Sequence, residues 1–145
     1  MASLATIRTD VYTAFKNLLD TGTYALTTNN IYPYVSDIQR AQKDYPLVEI
    51  KVNIDSIPRD TLNGGNLTVE GSVMITAYHN SSANIKSLAD EITNKLTTWG
   101  AKQVLAGGGI TIVDIDEDLQ EPFGYMPKRT EHASVITVMI LWGGV

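Results

Sequence analysis

A chain of 145 residues with 43% apolar and 19% charged side chains has the size and balance of one folded domain with a real core, and excludes a disordered chain. A net charge of −5 makes the average surface repel a phosphate backbone, which disfavours sequence-specific nucleic-acid binding. With no cysteine, disulfide frameworks, thiolate metal sites and cysteine nucleophiles are excluded together.

In residues 4–19 the apolar side chains Leu4, Ile7, Val11, Ala14, Phe15, Leu18 and Leu19 step by threes and fours, which predicts a helix with one buried face. Ser3 or Thr6 can cap its start, and Gly22 can turn the chain after its end. The short run 31–35 contains Pro33, which cannot donate to a ladder, so it is expected at a sheet edge. From 48 to 55, Val48, Ile50, Val52 and Ile54 alternate with Glu49, Lys51, Asn53 and Asp55, the pattern of a strand buried on one side with an acidic and polar opposite face. A second alternating run, 67–78, follows across a turn-rich connection, so the two make a long hairpin. Gly71 falls on the apolar phase of that strand, where a bulge or a close helix crossing would explain it.

Residues 82–100 place Ile85, Leu88, Ala89, Ile92, Leu96 and Trp99 on one helical face, and Glu91 stands four residues before Lys95 in the favourable order. Runs 110–115 and 132–142 read as two further strands joined by an acidic, Pro-containing connection. The apolar run 135–142 is far shorter than the ~20 residues that span a bilayer, so it is a buried strand and no membrane partner is expected. The N-terminus lacks the basic start and apolar stretch of a signal peptide, which predicts residence in the cytosol.

The fold class expected is α/β of the α+β kind, in a single domain over 1–145. Its order is α-β-β-β-α-β-β, with a largely antiparallel sheet, both helices on one face and a polar, uncommitted second face. The core is expected to contain Ile50, Val52, Val73, Ile75, Leu88, Ile92, Val135 and Val138. Val138 is the weakest of these, because both faces of the last strand are apolar.

Chemistry-bearing residues are sparse. The two histidines, His79 and His132, fall at or near strand ends, where hydrogen bonding and solvent contact account for them. Asp114, Asp116, Glu117 and Asp118 begin like a calcium loop, but Leu119 stands where the glycine belongs and Tyr125 where the bidentate glutamate belongs, so a solvated strand end is the expectation. Gly107, Gly108 and Gly109 follow a helix and precede a strand, the reverse of a phosphate cradle, and are expected to turn the chain. Tyr12, Phe15, Trp99 and Trp142 lie in apolar elements and belong to the core. No catalytic residue, metal or cofactor is expected.

The opening helix Thr6-Ile7-Arg8-Thr9-Asp10-Val11-Tyr12, the long hairpin around residues 59–65 and the closing Lys128-Arg129-Thr130-Glu131-His132 before the last apolar strand resemble the tail terminator, or tail completion, proteins of long-tailed bacteriophages. The resemblance spans nearly the whole chain and is one of architecture and pattern. It implies a non-enzymatic virion protein, assembled in the host cytoplasm. Such a protein forms a ring, a homohexamer, on the last ring of the major tail tube protein and meets a head-side connector or neck protein while DNA passes through. The family has no catalytic residues to carry over. Within this reading the connection 59–65 is an assembly element: Arg59, Asp60, Leu62, Asn63, Gly64 and Gly65 extend it beyond the two residues that suffice for a hairpin. A connector or neck protein is the nearest competing reading, and a small-molecule-binding or enzymatic α/β domain a more distant one.

Overall fold

The computed structural model describes residues 4–19, 31–33, 46–56, 68–98, 105, 109–120 and 131–143. They form, in chain order, α1 (Leu4–Leu19), β1 (Ile31–Tyr32), β2 (Leu47–Ser56), β3 (Thr68–His79), α2 (Ser82–Thr97), β4 (Ile110–Gln120) and β5 (His132–Gly143). The α+β class holds. The five strands make one mixed sheet in the order β1-β2-β3-β5-β4, parallel between β1 and β2 and antiparallel at every other junction.

Both helices begin and run as their periodicity dictates. Helix α1 buries Ile7, Val11, Phe15 and Leu19 along one stripe. Helix α2 starts at the N-cap Ser81, whose hydroxyl accepts from the Asn84 N–H at 3.2 Å, and it buries Ile85, Leu88, Ala89, Ile92 and Leu96. It stops at Thr97, short of Gly100, because Thr98 already has extended backbone. Both stripes enter a single core cluster with Val48, Ile50, Val69, Val73, Ile75, Ala77, Ile110, Ile136, Val138, Ile140 and Trp142, so the two helices share one face of the sheet. Lys95 joins them directly: its ammonium donates to the Leu19 carbonyl at the end of α1 at 3.0 Å and lies 3.6 Å from Glu91. The Glu91–Lys95 pair is therefore part of a helix–helix contact, where the α1 dipole favours a cation.

Two core expectations need correction. Val135 is only half-buried, because strand alternation puts it on the face away from the helices, while the in-phase Val138 is fully buried. Val52 is also half-buried, near the sheet edge, and packs against the core without being enclosed. The fourth strand also runs five residues further than expected, to Gln120 rather than Ile115. Asp114 and Asp116 are exposed on this outermost strand, where exposure removes the penalty for burying charge.

Gly71 has a backbone explanation. A Cβ there would lie 2.6 Å from the Asn53 carbonyl oxygen of the neighbouring strand, next to the register shift between Ile54 and Ser56. A strand bulge is thus the feature beside it, and the crowding comes from β2 and not from a helix. Gly71→Ala is expected to cost about 1–3 kcal/mol, since main chain cannot rotate away as a side chain can. Urea denaturation checks this, and an unchanged midpoint would show that β2 yields freely at the bulge.

Candidate functional site

The second sheet face is where the fold leaves chemistry uncommitted. The registers across β2, β3, β5 and β4 set its rows as Lys51–Met74–Thr137–Asp116 and Asn53–Ser72–Met139–Asp114, with Glu70–Leu141–Thr111 beyond them. At the opposite end the row Leu47–Tyr78–Ala133 is buried and forms a small second cluster with Tyr32. Burial thus falls along the strands. It is highest where β2 begins and lowest toward Glu70, Leu141 and Thr111.

The expectation of a polar second face fails at the exposed end. Met139 is 41% exposed and Leu141 36%, and both stand on β5, between the flanking strands. Val113, at the bulge between Ile112 and Asp114, is 62% exposed. Around this apolar column stand the exposed carboxylates of Glu70, Asp114 and Asp116. Lys51 lies on the other side, 3.6 Å from the buried Glu49. Periodicity missed the feature because Met139 and Leu141 belong to a run that is apolar on both phases, so nothing local tells which phase meets the helices. The register of Ile140 with Gly71 and of Val138 with Val73 makes that choice.

The residues singled out from sequence are placed as follows. His79 and His132 face each other as a cross-strand pair at the ends of β3 and β5. The His79 Nδ1 lies 2.8 Å from the Asn80 N–H, and Asn80 Oδ1 accepts from Asn84 Nδ2 at 3.1 Å, so this end of the sheet is tied to the first turn of α2. Asp114, Asp116 and Asp118 succeed one another at alternate positions of β4, where same-side residues are roughly 6.6–6.8 Å apart. Asp114 and Asp116, both exposed, thus follow one another along the strand. Asp114 spends one carboxylate oxygen on the Ile115 N–H at 3.0 Å.

Gly109 takes φ of 79° and sits against Gly143, whose N–H donates to the Gly109 carbonyl at 2.9 Å, so it turns the chain into β4 as expected of it. Phe15 and Trp142 are core residues and Tyr12 is half-buried. Arg59, Asp60, Leu62, Asn63, Gly64 and Gly65 lie outside the described residues, as do Trp99, Gly107, Gly108 and 128–130.

Two grooves open where the helix layer meets the sheet edges. One, of about 430 Å³, lies between α1 and β2 and is lined by Arg8, Tyr12, Pro33, Ile50, Lys51 and Val52 among others. Burial pushes the Tyr12 phenol above its ordinary pKa, and the Lys16 ammonium stands 5.8 Å from its ring centre. The other, of about 570 Å³, lies between the end of α2 and β4, with Leu96, Leu105, Ile110, Ile112 and Ile115 in its wall. No helix among the described residues is long and apolar enough to cross a membrane. No family model matches the chain, and no curated protein sequence is significantly similar to it.

Proposed function

We propose that this chain is a structural subunit of a tailed virus. It forms a homohexameric ring on the head-proximal end of the tail tube, ends tube growth and offers a surface to the connector or neck protein on the head side. The resemblance of its element order and local sequence features to tail terminator proteins is the origin of the reading. The observation that carries it here is the exposed end of the second sheet face, where Met139, Leu141 and Val113 meet water beside a row of carboxylates. Exposed apolar side chains inside a charged rim are the usual mark of a protein-docking surface. β2 ends at Ser56 and β3 begins at Thr68 at this same end of the sheet. The formal charge of −5 per copy suits a ring through which DNA passes without sticking.

Electron microscopy of the purified protein, alone and mixed with its tail-tube protein, tests the reading. Rings and capped tubes of uniform length are expected; tubes that grow unchecked in its presence would defeat it. Replacing residues 59–65 with an Asn-Gly turn is expected to leave a folded protein, by circular dichroism, that no longer caps tubes. Capping at the wild-type level would remove that connection from the interface.

A further inference from the structure

Strand β4 ends the sheet and pairs, among the described residues, only with β5. It reaches past the helix layer, because α2 packs chiefly on β3 and β5. Ile112 and Ile115, on its helix-facing side, therefore keep partial exposure although both touch the core. Beside them lies the groove of about 570 Å³ walled by Leu96, Leu105, Ile110, Ile112 and Ile115, a size within the ~300–1,000 Å³ range of clefts that hold ligands. On the other side of the strand stand Asp114 and Asp116, both exposed. The stretch 114–120, Asp-Ile-Asp-Glu-Asp-Leu-Gln, keeps a regular register and carries acids and no base.

From this edge we infer that β4 receives an extended segment of a partner protein as a further strand, one in which apolar side chains alternate with lysine or arginine. Three features select that occupant. An edge strand offers a row of backbone donors and acceptors, which an extended chain satisfies and which a small apolar molecule or a helix leaves unused. Side chains of an added strand alternate between faces, so its apolar set enters the groove while the other set stands beside Asp114 and Asp116. At that position a basic side chain is attracted and an acidic one repelled. The Asp114 carboxylate accepts from the Ile115 N–H at 3.0 Å through one oxygen, which leaves the second for a cation. The same acids keep the edge from pairing with another β4, where like charges would face each other.

The inference goes beyond the ring reading and does not depend on it, since any partner with such a segment satisfies the edge.

A synthetic peptide alternating valine with lysine, and its counterpart with glutamate in place of lysine, test it on the full chain. By fluorescence anisotropy at low salt the lysine peptide is expected to bind about tenfold or more tightly than the glutamate peptide, and added salt should narrow the difference. On binding, hydrogen–deuterium exchange should slow in residues 110–116. A lysine peptide N-methylated at every amide cannot donate to a ladder and should no longer bind. Asp114→Lys with Asp116→Lys should reverse the preference in favour of glutamate, with circular dichroism to verify folding. Should the lysine pair disturb β4, Asp114→Asn with Asp116→Asn gives a milder form, in which the preference for lysine should shrink several-fold.

No binding of the lysine peptide up to millimolar concentration, or protection that falls outside β4, overturns the inference. Undiminished binding of the N-methylated peptide also overturns it, because the groove would then hold apolar side chains without a strand being added. A preference left unchanged by both pairs of substitutions has the same consequence. Tube capping is measured separately, so these failures leave the ring reading standing, and a failure to cap tubes leaves the edge contact standing.

Discussion

Replacing Phe15 with alanine is expected to lower stability by about 3–5 kcal/mol, the range for removing a fully enclosed aromatic side chain. Phe15 has no solvent exposure and lies in the buried stripe of α1 with Val11 and Leu19, each four residues away. That stripe is the means by which α1 covers the sheet, packing with Ile31, Val48 and Ile50 in the common core. Alanine keeps the helix, since its propensity is the highest, so the loss reports tertiary packing and not local helix formation. It also loosens the end of α1, where the Leu19 carbonyl accepts from Lys95. Urea denaturation measures the change. A loss under about 1 kcal/mol would mean that α1 is not docked as described.

The second large effect is expected at Ile92. It is fully buried at the centre of the α2 stripe, between Leu88 and Leu96. Ile92→Ala removes three carbons from a packed site, which costs about 2–5 kcal/mol depending on how far the neighbours collapse. Ile92→Val removes one and should cost about 0.5–1.5 kcal/mol. The graded pair separates packing from any general effect of substitution in α2. A loss below about 0.5 kcal/mol for the alanine variant would place that face of the helix in solvent. Because α2 packs against β3 and β5, the two innermost antiparallel strands, the same variant should unfold the whole domain in a single transition.

The acidic run 114–118 shows how a candidate site changes character between sequence and structure. Its residue types alone suit either a metal loop or a solvated strand end, and the failed loop positions favour the strand end. In the folded chain these residues continue β4 and become the charged border of a sheet edge.

What the sequence determines by itself is whatever depends on a repeat of a few residues. The stepping from Ile7 to Leu19 and from Ile85 to Leu96 places both helices and their buried faces, and alternation places β2 and β3 with their helix-facing sides. These signals are local, because backbone geometry alone sets periods of 3.6 and 2. Strand order is not local. That β5 inserts between β3 and β4, so that Val138 is enclosed while Val135 and Met139 turn to the other face, follows from pairing residues far apart in the chain. The β4 bulge is a borderline case: Ile110, Ile112 and Ile115 step by two and then three, and only the register with Ile140 and Val138 turns that irregular spacing into one face toward the core, with Ile110 buried, Ile112 and Ile115 partly buried and Val113 pushed outward. Tertiary structure alone also decides which strands become edges and which apolar side chains stay in water, because both depend on what every other strand has already covered.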